Sequence, residues 1–220
     1  MSTLLLLIYT LFFTSACSSN EATLNHPQYF NIMIHDTKID NQVTDTITLG
    51  GGCFWCTEAQ FLLLHGVLSV TSGYAGGHTS NPTYKEICTG ATGHAEVIQV
   101  AYDKAIISTD EILAAFWQSH DPTQLNRQGN DVGTQYRSVI FYHNDRQKQL
   151  AEMYIKQLNE QKVYDKPIVT QIAPLTTFYP AENYHQNYYN ENSSQGYCMF
   201  VIQPKIEKFK KVFGNKLKQK

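Results

Sequence analysis

The chain has 220 residues, which is long enough for one domain with a substantial core. Hydrophobic residues make up 42% of it and charged residues 16%, the proportions of an ordinary soluble globular protein. The formal net charge of -2 argues against nucleic acid or an anionic membrane surface as a partner. We expect a single domain that works as a monomer.

The first residues have the pattern of a leader that is removed from the mature protein. An apolar run at residues 4–13 is too short to span a bilayer, which takes roughly 20 residues, but it suits the core of a signal peptide. It ends in Thr-Ser-Ala-Cys at 14–17, which resembles the lipobox of bacterial lipoproteins. This predicts a signal peptide at residues 1–16, lipidation of Cys17 and export to the cell envelope or periplasm, with the lipid as the only membrane contact. No Lys or Arg precedes the run, and Thr14 stands where Leu is usual, so a plain secretory leader remains the alternative.

The segment at residues 17–45 is polar, which predicts a flexible tether ahead of a folded domain at 46–220. Periodicity within the domain predicts a strand, a helix, two strands, a helix, a strand, a helix, a strand and two short helices. In chain order these are residues 47–49, 54–64, 66–74, 95–102, 108–119, 136–142, 145–161, 168–173, 180–189 and 205–213. Ser108 and Glu111 have the capping-box form at the start of the second helix. The irregular alternation favours an α+β two-layer sandwich, for which we expect a mixed β-sheet and a ferredoxin-like core.

Four cysteines remain once the leader is removed, namely Cys53, Cys56, Cys88 and Cys198. An even number in an exported protein normally suggests structural disulfides. Here three of them lie close together in the sequence, and a domain of this size does not need such cross-links. Redox chemistry is therefore the first hypothesis for these residues.

Cys53 follows three glycines, at the point where the first strand is predicted to give way to a helix. Backbone N–H groups and the helix dipole at such a junction favour a thiolate over a thiol, which predicts a nucleophilic cysteine. Phe54 and Trp55 follow immediately and indicate an apolar box beside it. A buried structural cysteine is the alternative.

The string Gly-Cys-Phe-Trp-Cys-Thr-Glu at 52–58 resembles the signature of the A-type peptide methionine sulfoxide reductases. Other segments resemble the same family in the same order. They are Gly-Tyr-Ala-Gly-Gly at 73–77, Asn-Pro-Thr-Tyr at 81–84, Thr-Gly-His-Ala-Glu at 92–96, the segment 128–138, Ala-Glu-Asn-Tyr-His-Gln at 181–186 and Gly-Tyr-Cys at 196–198. The resemblance covers about residues 46–214, which is the whole predicted domain.

The chemistry of that family explains why such residues occur together. A sulfoxide has an electrophilic sulfur and a poor oxygen leaving group, so its reduction needs a soft nucleophile at sulfur and a proton for oxygen. The resemblance implies that Cys53 is the nucleophile and that Glu96 supplies the proton. It also implies that Tyr84 and Tyr136 hold the oxygen through their hydroxyls. An ordinary glutamate, with a pKa of about 4.3, is ionised at neutral pH, so we expect an apolar site that raises the pKa of Glu96.

Four further residues belong to substrate binding by the same resemblance. Phe54 and Trp55 would cup the methyl group of the sulfoxide, and Asp131 would accept a hydrogen bond from the main-chain amide of the substrate. His185 supports the site rather than acting in it. The substrate would be methionine S-sulfoxide, free or in oxidised proteins, and we expect neither a bound cofactor nor a metal.

The resemblance also implies how the enzyme is regenerated. Cys53 would hold the oxygen as a sulfenic acid, with which a second thiol condenses to give an intramolecular disulfide. Cys198 is the preferred second thiol, because the polar stretch at 190–196 predicts a loose loop around it. Cys56 is the alternative, and Cys88 is interpreted as structural. A thioredoxin-like protein would serve as the external thiol reductant.

Two other classes of protein fit parts of the sequence. Cys53 and Cys56 form a CxxC pair, which could mark a thioredoxin-type oxidoreductase, and reduction of insulin would reveal that activity. A metal-binding lipoprotein could use Cys53, Cys56, Cys88 and some of the eight histidines. One CxxC without a matching second pair is weak support for zinc.

Overall fold

The computed structural model describes residues 43–219. The predicted signal peptide, the lipidation site Cys17 and the tether up to residue 42 lie outside the described residues. Among the residues that are described, no helix combines the length and apolarity needed to cross a membrane.

Six strands form one mixed sheet, and a separate two-stranded hairpin lies outside it. The strands are β1 (Thr44–Gly51), β2 (Val67–Ala75), β3 (Ala95–Asp103), β4 (Arg127–Gln128), β5 (Asp131–Val132), β6 (Ser138–Tyr142), β7 (Gln171–Pro174) and β8 (Phe178–Pro180). The order in the sheet is β7-β6-β1-β3-β2-β8, and β4 pairs with β5. Within the large sheet β6 and β7 run parallel, and the other neighbouring strands are antiparallel. The predicted α+β class with a mixed sheet is therefore confirmed.

The helices pack against one face of this sheet. They are α1 (Phe54–Phe61), α2 (Tyr84–Cys88), α3 (Thr109–Ser119), α4 (Asp145–Glu160), α5 (Tyr188–Glu191) and α6 (Gln203–Phe213). Side chains alternate along a strand, so β3 contributes Ile98 and Val100 to a main core that α1, α3, α4 and α6 share. Val97 of β3 and Val139 of β6 belong to a smaller cluster on the opposite face.

Local sequence signals set several of the helix ends. Ser108 accepts a hydrogen bond from the Glu111 amide at 3.2 Å, and the Glu111 carboxylate accepts one from the Ser108 amide at 2.9 Å, so the predicted capping box starts α3. Thr83 and Glu86 form a second capping box that starts α2, a helix that is absent from the predicted elements.

Two predicted boundaries need correction near the site. β1 begins at Thr44 rather than at residue 47, because the Asp45 carboxylate accepts hydrogen bonds from Tyr102 (3.1 Å) and Gln147 (3.2 Å). Tyr136 does not belong to a strand: it ends a 3₁₀ turn at Thr134–Tyr136, and β6 starts at Ser138.

The loose loop predicted around Cys198 does not extend to the cysteine, because only residues 192–195 form an irregular turn. The chain is helical from Gly196, and the segment Cys198–Ile202 is a π-helix that runs into α6. Cys198 is fully buried, because it lies on the same apolar side as Ile202 and Ile206 and packs into the main core.

Candidate active site

Cys53 lies where the end of β1 meets the start of α1. The preceding Gly52 has a φ of +93°, and a Cβ there would come within 2.7 Å of the Gln128 side chain, so both the turn and the close approach require glycine. Cys53 is the N-cap residue of α1 and is only 7% exposed. Because β1 pairs with β3, this junction lies beside the start of β3, which carries Glu96.

The predicted Cys53 thiolate is not what the site favours. The Phe54 amide donates its hydrogen bond to Glu96 Oε2 at 3.1 Å, and the Cys56 amide donates to the carbonyl oxygen of Cys53 at 3.0 Å. These helix N–H groups are therefore not available to the sulfur. Burial, the side chain of Cys56 and the Glu96 charge raise the pKa of Cys53 well above its ordinary value. Cys53 rests as a thiol.

Cys56 holds the negative charge of the cysteine pair instead. The hydrogen bond from Cys53 and the nearby charge of Lys205 lower the pKa of Cys56 to about 7, against the effect of burial. Lys205 Nζ lies 3.6 Å from Cys56 Sγ, and the Tyr197 hydroxyl lies 3.9 Å from the same sulfur. These contacts favour the thiolate form of Cys56 over that of Cys53.

The predicted rise in the pKa of Glu96 is found in the structure. Glu96 is 2% exposed, and burial, together with the charges of Asp131 and Cys56, raises its pKa to about 8. The hydrogen bond from the Phe54 amide opposes that rise without cancelling it. At neutral pH the Glu96 carboxyl therefore carries a proton. The hydrogen bond from the amide of Phe54, the residue after Cys53, holds this carboxyl beside the cysteine.

Tyr84 and Tyr136 bring two phenol hydroxyls to the same place. Burial and the charge of Glu96 raise the pKa of both side chains, so the hydroxyls stay protonated and can donate hydrogen bonds. Tyr84 is fixed by its position at the start of α2 and by its amide, which donates to Glu182 Oε1 at 2.8 Å.

The two aromatic residues after Cys53 form an apolar wall. The Phe54 ring is 1% exposed and packs against the rings of Tyr84 at 6.5 Å and His185 at 5.1 Å. Trp55 stacks on Tyr188 with ring centroids 3.7 Å apart. Its indole Nε1 donates to His185 Nδ1 at 3.1 Å. Both faces of the predicted box are thus held by neighbouring rings.

His185 supports this wall from beneath. It is 1% exposed, and burial lowers its pKa, so it is neutral at physiological pH. Since Nδ1 accepts the Trp55 hydrogen bond, Nε2 carries the proton and faces the Glu182 carboxylate at 3.8 Å. His185 therefore orients Trp55, while its buried Nε2 makes no hydrogen bond to any residue that the structure describes.

Asp131 lies at the rim of the site on β5. Its Oδ2 accepts a hydrogen bond from the Tyr197 hydroxyl at 2.7 Å, and the residue is half-exposed. The structure thus brings Asp131 together with Cys53, Cys56 and Glu96. The negative charge of Asp131 raises the pKa of Glu96.

The two other cysteines differ from their predicted environments. Cys198 is fully buried, and burial and the charge of Cys56 raise its pKa. Cys88 is exposed at the end of α2 and does not pack in the core, so its structural interpretation is wrong. Cys198 therefore lacks the depressed pKa of a reactive thiol.

Three residues that contact the predicted site were given no role from the sequence. Tyr197 stands inside a segment that resembles the family, so its position could have suggested a role. Glu182 bonds the Tyr74 hydroxyl and the Tyr84 amide, both at 2.8 Å. Lys205 is 149 residues from Cys56 in sequence, and only the packing of α6 on α1 reveals the contact.

A metal centre was the remaining alternative for the cysteines. Within residues 43–219, no group of three or more His, Cys, Asp or Glu side chains is arranged to hold a metal ion. Instead, the cysteine pair is surrounded by a carboxyl, phenol hydroxyls and a lysine.

Known proteins resemble this chain along the described part of its length. A profile of the family described as peptide methionine sulfoxide reductase matches residues 45–217. The peptide methionine sulfoxide reductase MsrA of Natronomonas pharaonis is 58% identical over 175 residues, which are 80% of this chain and 98% of the relative. The protein of the same name from Acinetobacter baumannii is 56% identical over 169 residues, which are 77% of this chain and 96% of the relative. The solved methionine sulfoxide reductase A of Corynebacterium diphtheriae is 40% identical with a TM-score of 0.64, covering 72% of this chain and 79% of that one.

Proposed function

Because the chain belongs to the peptide methionine sulfoxide reductase family, we propose that it reduces methionine S-sulfoxide to methionine at Cys53. The observation that carries the proposal is the buried Glu96 carboxyl, which accepts a hydrogen bond from the Phe54 amide next to Cys53. The test is a racemic sulfoxide substrate incubated with the purified protein and dithiothreitol. Chiral chromatography should show the S epimer converted to methionine and the R epimer unchanged. Loss of neither epimer would reject the proposal.

The proposed first step uses the two cysteines, Glu96 and the apolar wall of the site. The methyl group packs on Phe54 and Trp55, where a sulfur–aromatic contact contributes about 0.3–1.5 kcal/mol. The Cys53 sulfur attacks the sulfoxide sulfur as its thiol proton passes to Cys56, and Glu96 donates a proton to the sulfoxide oxygen. Methionine leaves with its sulfur reduced, and the oxygen stays on Cys53 as a sulfenic acid. Proton exchange through solvent restores Cys56 and Glu96.

The remaining predicted residues would orient the substrate. Tyr84 and Tyr136 would donate their hydroxyl hydrogens to the sulfoxide oxygen, because both remain protonated beside Glu96. Asp131 would accept a hydrogen bond from the main-chain amide of the substrate while Tyr197 holds its other side. Since one chain supplies all of these groups, we propose that it works as a monomer.

For the second step we propose Cys56, rather than Cys198, as the resolving thiol. Cys56 is hydrogen-bonded to Cys53 and has a pKa of about 7. Cys198 is buried in the π-helical turn and has a raised pKa, so it would need both to move and to lose a proton. A thioredoxin-like protein would then reduce the disulfide by attacking one of its sulfurs. No bound cofactor is needed.

Substitution of each candidate resolving cysteine in turn shows which of the two forms the disulfide with Cys53. Cys56→Ser should still form one methionine per chain and leave a sulfenic acid on Cys53, although more slowly, because serine is a poorer acceptor of the Cys53 proton than a thiolate. Turnover with a thioredoxin-like protein should fall sharply, because no disulfide forms for it to attack. Cys198→Ser should recycle close to the wild-type rate. Peptide mapping after one equivalent of substrate is the direct check, and a Cys53–Cys198 bridge in wild type would reverse the assignment.

We also propose that the mature protein begins at a lipid-modified Cys17, tethered to the membrane by residues 18–43. The apolar run and the lipobox-like segment of the sequence support this. Mass spectrometry of membrane fractions should find a lipidated amino terminus, and Cys17→Ala should abolish that modification. A soluble exported form that begins at another residue would favour the plain secretory leader.

The finer classification of the fold is a further proposal. Apart from the short α2 and the β4–β5 hairpin, the central elements follow the order β1-α1-β2-β3-α3-β6, and their strands lie in the order β6-β1-β3-β2. That is the βαββαβ plan of a ferredoxin-like unit. With the helices on one face, it supports a two-layer ferredoxin-like sandwich.

A further inference from the structure

Lys205 lies next to the sulfur of Cys56, although it belongs to none of the sequence segments that resemble the family. The residue is half-buried on α6, and its Nζ is 3.6 Å from Cys56 Sγ. α6 packs directly against α1, the helix that carries Cys56. Lys208, one turn further along α6, is exposed and provides a natural comparison.

The groups around Cys56 have unequal effects on a negative charge at its sulfur. Cys53 and Tyr197 offer hydrogen bonds that favour the thiolate. Asp131, and Glu96 when it is ionised, repel that charge. Lys205 supplies the positive charge that acts on Cys56. Removal of that ammonium group would therefore leave a buried sulfur near carboxylates without the Lys205 charge to offset them.

We propose that Lys205 is a positioning residue for the second redox step, where its ammonium group holds Cys56 as the thiolate that attacks oxidised Cys53. The inference rests on the proposed function, with Cys56 as the resolving thiol. In this step the Cys56 sulfur bonds to the Cys53 sulfur, and the sulfur–oxygen bond of the sulfenic acid breaks. The oxygen takes a proton from Glu96 and leaves as water. The thiolate sulfur is oxidised, and the sulfenic sulfur is reduced.

A lysine in this position has two opposing effects on rate. It increases the fraction of Cys56 that is thiolate, but it also reduces the nucleophilicity of that thiolate, with a Brønsted coefficient of about 0.4–0.5. If Lys205→Met raises the titration midpoint by about one unit, disulfide formation should be about threefold slower at about pH 6. At about pH 9 both forms are mostly thiolate, and the variant should be about two- to threefold faster. This reversal distinguishes a charge effect from a loss of packing, which would slow the step at every pH.

The experiment uses the full reduced chain, one equivalent of methionine sulfoxide and no reductant. Samples quenched with a sulfenic acid trap are followed by mass spectrometry for the Cys53 sulfenic acid and the Cys53–Cys56 disulfide across a pH series. Lys205→Arg keeps the charge and should follow the wild-type profile. Lys208→Met removes a lysine from the same helix without touching Cys56 and should do the same. Lys205→Gln provides a second neutral variant if Lys205→Met does not fold.

A direct titration of Cys56 supports the same distinction. In a Cys53→Ser background, which keeps a hydroxyl donor beside Cys56, the ultraviolet thiolate absorbance should titrate at a higher pH with Lys205→Met than with Lys208→Met. Coincident midpoints, or pH–rate profiles without a reversal, would overturn the role of Lys205. Methionine released in the first turnover is the separate readout for the proposed function: if wild type forms none, that function fails, whatever Lys205 does.

Discussion

Replacing Cys53 by Ser should reduce methionine formation to the uncatalysed background. The hydroxyl is nearly the same size as the thiol but is a much weaker nucleophile toward sulfur, and it cannot hold the oxygen as a sulfenic acid. The turn at Gly52 and the start of α1 need no contact that serine lacks, so the fold should persist. Single-turnover assays with racemic sulfoxide measure the loss, and thermal unfolding confirms that the variant is folded.

Cys88→Ser is the matched control for that variant. It removes one of the same four thiols at an exposed position at the end of α2 and should keep wild-type activity. A folded Cys53→Ser variant that still reduced sulfoxide beyond a trace would mean that another thiol is the nucleophile.

Glu96→Gln should slow the first step by roughly 10²–10⁴-fold, the usual contribution of a general acid. The amide oxygen of Gln can still accept the Phe54 hydrogen bond, so the site should keep its shape and its substrate affinity. What it lacks is the acidic proton that burial retains on Glu96 at neutral pH.

The pH dependence of this variant is a sharper test than its rate at one pH. Because the pKa of Glu96 is raised to about 8, its proton is present below that pH and lost above it. The ratio of wild-type to Glu96→Gln single-turnover rates should therefore be large at neutral pH and shrink as the pH rises through about 8. A ratio that stays constant across this range would remove Glu96 from the acid role.

The residues proposed for the first step could be predicted because they stand in short, ordered sequence segments. Glu96, Tyr84 and Tyr136 each lie in such a segment, and the structure places Glu96 and Tyr136 near Cys53 and Tyr84 near Glu96. The raised pKa of Glu96 followed from the apolar residues beside the cysteine, since desolvation acts in one direction on a carboxyl.

The charge on the cysteine pair could not be predicted in this way. The sequence showed a cysteine at a helix start, but not that the Phe54 amide bonds to Glu96 or that Lys205 reaches Cys56 from a distant helix. Both contacts depend on pairing and packing between segments far apart in the chain. The burial of Cys198 could not be predicted for a related reason. The polar stretch before Cys198 indicated a loop, whereas the apolar spacing from Cys198 continues into α6.

The most direct test of the proposed chemistry follows the oxygen atom. Cys56→Ser protein, reduced and then mixed with one equivalent of methionine S-sulfoxide carrying a heavy oxygen isotope, should transfer that isotope to Cys53. Intact-protein and peptide mass spectrometry should find labelled sulfenic acid at Cys53, in step with the methionine released. Methionine released while Cys53 remains unlabelled, or while the label is on another residue, would contradict nucleophilic attack by Cys53.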